Sequence, residues 1–232
     1  MGGQTFANTT LQAIPLEIVH EIREMFHDVT VPLRLGNKTE YHDIDFITCN
    51  EHEIIKVFHD KNIKIVDMKD IPLKESFQTY SYHLLIEYEK TLLQIDILRP
   101  FNARSTAITQ AFFSYGFANV FFKKLVPIAN KDFKLSYLGL LCHNNSLDID
   151  TGEVYRLDPN TRLVTDVYFL FAMMDLDYDR FLRGFKDEYE LLDFLKSSKY
   201  FSQIKLNVNA SKFRHDLKRL PGLAKLHSEG LL

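Results

Sequence analysis

The chain has 232 residues and a mass of 27.2 kDa, room for one large domain or two small ones. Its 28 Lys and Arg against 31 Asp and Glu give a net charge of −3. That balance excludes a strongly basic packaging protein and an acidic disordered tail. Nineteen Phe and eleven Tyr, with no Trp, predict a core of single aromatic rings. The charge is uneven, however. Residues 199–227 carry Lys199, Lys205, Lys212, Arg214, Lys218, Arg219 and Lys225 against Asp216 alone, so the rest of the chain is acidic.

Cys49 and Cys142 match no zinc or redox spacing and read as small core residues in a reducing compartment. No apolar run approaches the roughly 20 residues of a membrane span, and no signal-peptide core opens the chain. The start Met1-Gly2-Gly3-Gln4-Thr5-Phe6 has Phe6 where a myristoylation signal needs Ser or Thr. These features predict a cytoplasmic protein without a membrane partner.

In chain order, Ile18, Val19, Ile22, Met25 and Phe26 recur at helical spacing after Pro15, and Pro suits a first-turn position. Val31–Leu35 is a short apolar run, and Gly36-Asn37 is a turn signal. Asp43–Ile47 alternates as a strand does. A helix is predicted over Glu51–His59, a strand over Ile63–Val66 and a polar loop over Lys69–Glu75. Tyr82–Tyr88 and Leu92–Leu98 are strands joined through Glu89-Lys90 as a hairpin. Ser105 caps a helix expected to run to about Phe122, with Gly116 inside it. Leu135–Cys142 and Val154–Leu157 flank a hairpin turn at Asp150-Thr151-Gly152. Helices follow over Val167–Met174, Glu188–Leu195 and Lys212–Lys218. The order predicts an α+β fold with a helical C-terminal part.

The chemistry concentrates in carboxylates. Residues i and i+2 of a strand share a face, so Asp43 and Asp45 project together while Ile44 and Phe46 face the core. In the later strand Asp96 shares its face with Gln94, and Leu93, Ile95 and Ile97 form the buried face. If the two strands are neighbours, three carboxylates converge. Side by side they repel unless a cation lies between them. Hard oxygen ligands in that number suit Mg²⁺, two ions of it, with Mn²⁺ as an alternative. The reaction class this implies is phosphoryl transfer. The turn at Gly36, Asn37 and Lys38 would offer backbone N–H groups to a triphosphate, with Lys38 or Arg34 adding charge. Asp148-Ile149-Asp150 has the same spelling but precedes Thr-Gly, and is turn chemistry.

Gly36-Asn37, His42-Asp43-Ile44-Asp45-Phe46 and Gln94-Ile95-Asp96-Ile97-Leu98 resemble the signature of the polymerase-β nucleotidyltransferase superfamily. Asn37 stands where Ser is usual, and the interval to Asp43 is short enough that the intervening helix must be abbreviated or absent. Phe112-Phe113-Ser114-Tyr115-Gly116 resembles the aromatic segment that lies against the incoming sugar in family X DNA polymerases. Lys134–Leu140 resembles their lysine-leucine strand, and Thr165–Phe169 with Asp175–Tyr178 resembles the thumb helix and its end. The closing Pro-x-x-Arg and a Gly before Leu176 are missing.

The resemblance implies a mixed-sheet catalytic palm over residues 1–105, a helix, hairpin and thumb-like region over 106–185, and a basic helical extension over 186–232. It implies transfer of a nucleoside monophosphate from an NTP or dNTP to a hydroxyl, with nucleic-acid 3′ ends as acceptors. Asp43, Asp45 and Asp96 would be catalytic and metal-ligating. Arg34, Gly36, Asn37, Lys38, Tyr115, Gly116 and Asn119 would bind the nucleotide. Lys212, Arg214, Lys218 and Arg219 would hold the acceptor through counterion release. Two alternatives stand beside this: transfer to a tRNA, protein or small molecule, and a non-catalytic nucleic-acid-binding protein of the same fold. Phe112, Phe113, Phe117, Phe121 and Phe122 read as core packing rather than base stacking. Lys123-Lys124 reads as a solvated pair.

Overall fold

A computed structural model describes residue 6 and residues 13–70, 81–100, 103–133, 137–140, 145–148, 154–156 and 166–232. Residues 1–5, the expected loop beyond Asp70, Cys142 and the Asp150-Thr151-Gly152 turn lie outside the described residues. So do Lys134–Ser136 and Thr165 of the polymerase-like segments.

The first unit is a sheet with helices on one face. β1 (Ile14–Pro15) pairs antiparallel with β2 (Glu40–Tyr41), and α1 (Leu16–Glu24) starts directly after Pro15. β3 (Ile44–Ile47), β4 (Lys64–Asp70), β5 (Ser81–Tyr88) and β6 (Thr91–Leu98) form a four-stranded mixed sheet in the order β3-β6-β5-β4. β3 runs parallel to β6, and the other pairs are antiparallel. The chain leaves β3 through α2 (Glu51–Asp60), which lets it return parallel. The β5–β6 turn is Glu89-Lys90, both at positive φ (48° and 65°), as a two-residue turn matching strand twist requires.

Alternation along these strands sorts the faces. Ile44, Phe46, Leu84, Ile86, Leu93, Ile95 and Ile97 join Val19, Ile22, Ile54 and Phe58 of α1 and α2 in one buried cluster. The opposite face presents Asp45, His83, Gln94 and Asp96, all buried. β4 runs four residues past the predicted Val66 to Asp70 because it pairs with β5 along its length. Cys49 is exposed rather than core, because it lies in the connection leaving β3.

The second unit is helical. The single helix expected from Ser105 is two: α3 (Thr106–Phe113) and α4 (Ala118–Phe133). The break has a clear cause. Tyr115 and Gly116 adopt φ of +56° and +74°, a region costly for helix continuation. The Tyr115 N–H donates to the Leu33 carbonyl at 2.8 Å, and the Leu33 N–H donates to Ser114 Oγ at 2.9 Å.

β7 (Tyr137–Leu140), β8 (Asn145–Asp148) and β9 (Val154–Arg156) form an antiparallel meander. β8, which the sequence pattern did not suggest, is therefore the strand paired with β9, in place of Leu135–Cys142. α5 (Val167–Met173), α6 (Tyr178–Leu182), α7 (Glu188–Lys196), α8 (Ser211–Arg219) and α9 (Pro221–Ser228) complete the chain. Asp166, Asp177 and Asp187 cap α5, α6 and α7 by accepting first-turn N–H groups. Phe112, Phe121, Phe122, Phe171, Phe181 and Phe213 belong to one cluster that extends from α3 to α9. The architecture is α+β, a small mixed sheet plus helices. Among the described residues no helix is long and apolar enough to cross a membrane.

Candidate functional site

β3 and β6 pair with Asp45 opposite Asp96 in register, and Asp43 lies just before β3 on the same face. Carboxylate oxygens from Asp43, Asp45 and Asp96 all lie within 4.8 Å of one another, and the three side chains are buried, 4–5% exposed. Parallel pairing is what brings them together: it carries the Asp of one strand beside the Asp of the other at the same height in the sheet.

Each carboxylate is held differently. Asp45 Oδ2 accepts from the Arg34 guanidinium in a buried ion pair. Asp96 Oδ1 accepts from Gln94 Nε2 at 2.8 Å and lies 2.7 Å from His83 Nδ1. An ionised carboxylate only accepts, so with Asp96 charged the Nδ1 of His83 is the donor. Both contacts use Oδ1, which leaves Oδ2 for a ligand. Asp43 Oδ2 is buried with no hydrogen-bond partner. Burial pushes the Asp43 carboxyl above its ordinary pKa, the charge of Asp96 adds to that rise, and Arg34 and Lys38 oppose it.

These observations fit a hard divalent cation. Three buried carboxylates, one with an oxygen unmatched by any donor, form an oxygen-rich, under-neutralised set of the kind Mg²⁺ binds with its remaining waters. The protein's own compensation is cationic but strained. Burial lowers the pKa of Arg34, and that of Lys38 falls to about 8 through burial and the nearby Arg34 charge. The Lys38 ammonium sits 4.3 Å from the Tyr41 ring centroid.

The 36–38 turn does not serve as a phosphate cradle. The Gly36 N–H donates to the Phe185 carbonyl and the Asn37 N–H to that of Lys186, both at 2.9 Å, and the Lys38 N–H to Leu35 at 3.1 Å. All three amides are spent on the fold. Gly36 packs against Lys186, where an added Cβ would lie 3.4 Å from the Lys186 Cα and carbonyl oxygen, in ordinary van der Waals contact. Asn37 Nδ2 donates to Glu188 Oε2 at 3.2 Å. Tyr115 also departs from expectation: its hydroxyl donates to the Phe181 carbonyl at 2.7 Å and its ring packs edge-on against Phe181 and Phe185. The hydroxyl is a core bond, not a free sugar contact.

Asp43, alone of the three carboxylates, lines a cleft of about 720 Å³, within the range of roughly 300–1,000 Å³ that takes small ligands. Arg34, Asn37, Lys38 and Asp43 line it from the sheet side; Tyr115, Gly116, Asn119 and both Lys123 and Lys124 line it from the α3–α4 side. The lysine pair thus faces the cleft rather than only solvent. Phe113, expected in the core, is half-buried and forms part of the lining. Of the basic C-terminal residues, Lys212 and Arg219 line the cleft, whereas Arg214 and Lys218 do not. Helical geometry explains the split: 212, 216 and 219 share a face, and 214 and 218 lie on another. The lining carries six Lys and Arg against Asp43, Glu188 and Asp216, a positive cleft in a protein whose net charge is negative.

No protein-family model matches the chain, and no curated protein matches it significantly. The site therefore stands on its geometry.

Proposed function

We propose that this protein is a metal-dependent nucleotidyltransferase, moving a nucleoside monophosphate from an NTP or dNTP to an acceptor hydroxyl with release of pyrophosphate. The observation that carries the reading is the convergence of Asp43, Asp45 and Asp96 from two parallel strands, with one buried oxygen lacking a donor and with Asp43 lining a positively charged cleft of nucleotide size.

Asp43 and Asp45 would hold Mg²⁺ jointly, and Asp96 would join them through Oδ2. When bound, two such ions supply charge neutralisation on the phosphates and lower the pKa of the attacking hydroxyl. The residues supply the rest. Gln94 and His83 hold Asp96 through Oδ1, so Oδ2 is the oxygen that would take the proton of the acceptor. The acceptor oxygen bonds to the α-phosphorus as the α–β bridging bond breaks, and pyrophosphate leaves with that electron pair. Lys38, which lines the cleft, would neutralise the departing phosphates, and Arg34 is the internal counterion of Asp45.

The test is transfer of label from each NTP and dNTP, in Mg²⁺, to primer, template–primer, tRNA and protein acceptors. Labelled acceptor and pyrophosphate are expected with the wild type and lost with Asp96→Asn. Undiminished transfer by that variant would sink the assignment.

A further inference from the structure

The three carboxylates are not matched alike. Asp43 Oδ2 is buried with no partner, and Asp96 is held through Oδ1 by Gln94 and His83. Among the described residues, Asp45 alone of the three bonds an arginine. Its Oδ2 accepts from Arg34 Nη2, and both side chains are largely enclosed, 12% exposed for Arg34 and 5% for Asp45. One carboxylate oxygen from each residue lies within 4.8 Å of the other two. A cation held by the set and the Arg34 guanidinium would therefore neutralise the same charge.

Little else keeps Arg34 in that position. Its Nε is buried with no acceptor, so part of its donor fork is idle. Burial disfavours its charge, and the like charge of Arg23 adds to that. Arg23 and Lys38 both stand over the Tyr41 ring, at 5.7 and 4.3 Å from its centroid, so positive charge gathers beside the strap. A buried guanidinium is tolerated where a carboxylate pairs it, and Asp45 is that carboxylate. A divalent cation among the carboxylates draws on the Asp45 charge and repels the guanidinium, which removes the reason for Arg34 to stay.

The backbone cannot follow. The Leu33 N–H donates to Ser114 Oγ, the Leu33 carbonyl accepts from Tyr115, and the Gly36 N–H donates to Phe185, which pins the chain on both sides of Arg34. Any exchange is a rotation of the side chain. The space open to it is the cleft, which Arg34 lines together with Asn37, Lys38 and His42. A guanidinium turned into that space offers Nε and Nη2 as a planar pair of donors, the geometry that fits two oxygens of a phosphate or similar oxyanion.

We propose that Arg34 is an exchangeable partner of Asp45: it yields the carboxylate to a divalent cation, and the released guanidinium binds an oxyanion in the cleft. Cation and oxyanion then favour each other, because each stabilises the arrangement in which Arg34 and Asp45 are apart, and the coupling is reciprocal. This rests on the metal-binding half of the proposed function and is independent of whether a nucleotide is transferred. Arg34 thus opposes metal binding, the reverse of what a residue that orients a ligand does.

The test is Mn²⁺ titration of the full chain, followed by electron paramagnetic resonance of free Mn²⁺, in chloride and in sulfate at equal ionic strength. Arg34→Gln is expected to bind Mn²⁺ about tenfold or more tightly, the gain from freeing a site that is closed in about nine molecules of ten. Arg23→Gln removes a like charge that acts on Arg34 through space, and should change the affinity far less. Sulfate should tighten Mn²⁺ binding in the wild type and not in Arg34→Gln. Equal or weaker binding by Arg34→Gln, equal gains in both variants, or a sulfate effect that is absent from the wild type or survives the loss of Arg34 overturns the exchange. The wild type supplies a second measurement in case Arg34→Gln does not fold. Its Arg34 Nε–H resonance, identified by its loss in Arg34→Lys, should shift and exchange faster with water on addition of Mg²⁺; an unmoved resonance overturns the exchange too. Mn²⁺ bound by neither the wild type nor Arg34→Gln overturns the metal-dependent reading itself, whereas label transfer without the exchange overturns this inference alone.

Discussion

Replacing Asp43 with Asn should make the metal-free protein more stable while destroying its response to Mg²⁺. Asp43 is 5% exposed, its Oδ2 has no donor, and its oxygens share a 4.8 Å neighbourhood with those of Asp45 and Asp96. At an effective dielectric of ~20, two charges at that separation repel by about 3.5 kcal/mol. Arg34 and Lys38 return part of this, yet burial and Asp96 still hold the carboxyl above its ordinary pKa. Ionised Asp43 is thus a net cost to the fold. An Asn amide removes the charge and can donate to a neighbouring carboxylate. The expected gain is about 1–3 kcal/mol, the scale of one unsatisfied buried polar group, or roughly 2–10 °C in Tm for a chain of this size.

The sign of the pH dependence follows from the raised folded pKa. Between the ordinary value of 3.8 and the raised one, the folded state binds more protons than the unfolded state, so wild-type stability falls as pH rises through that window. The advantage of Asp43→Asn is full above the raised value and vanishes below the ordinary one. The assay is thermal melting of both proteins in chelator and in millimolar Mg²⁺, at neutral and acidic pH. The wild type should gain about 2.7 kcal/mol when Mg²⁺ is at a hundredfold excess over Kd, and the variant little. A variant that melts below wild type in chelator, or shifts equally with Mg²⁺, would refute the reasoning.

Two further outcomes are expected. His83→Phe removes the Nδ1 contact to Asp96 and should lower metal affinity and turnover by about 10–100-fold, the usual cost of losing a partner that orients a ligand; His83→Asn, whose amide nitrogen takes the place of Nδ1, should recover part, and Mn²⁺ titration followed by electron paramagnetic resonance reads the affinity without activity. Lys38, with its pKa near 8 in the free protein, should take up a proton when a phosphate binds above that pH. Binding enthalpies in buffers of different ionisation enthalpy should then diverge above pH about 8 and converge below it, and Lys38→Met should abolish the divergence.

The carboxylate site was legible because strand alternation and i, i+2 spacing are local facts. Asp43, Asp45 and Asp96 needed only the parallel pairing of β3 with β6 to meet. His83 was within reach and passed over. A two-residue turn at Glu89-Lys90 sets residue 83 opposite residue 96, as observed, and alternation puts His83 on the face away from Leu84 and Ile86. Other features depended on contacts far along the chain. The break between α3 and α4 is made by Leu33, and the Gly36 turn by Phe185 and Lys186. No window around Gly36 or Tyr115 contains those partners, so a turn read locally as a phosphate cradle proved to be a packing joint. The basic C-terminal residues were visible as composition, but only the register of α8 separates Lys212 and Arg219 from Arg214 and Lys218.

That joint bears on how the site works. The segment 31–38 is bonded to the helical unit along its length: Gln110 Nε2 donates to the Val31 carbonyl at 2.8 Å, Leu33 bonds Ser114 and Tyr115, and Gly36 and Asn37 bond the 185–186 backbone. Arg34 and Lys38 ride on this strap, and Arg34 reaches back to Asp45 on the sheet. The carboxylates come from one core and the cleft wall from the other, and the strap holds the two in register. Swinging the units apart would break all of these bonds together, each worth a net of about 0.5–1.5 kcal/mol. Substrate entry by a hinge between the units is therefore disfavoured. The movable parts of the cleft are its exposed rim side chains, Lys124, Lys212 and Arg219, which are the groups a polyanion meets first.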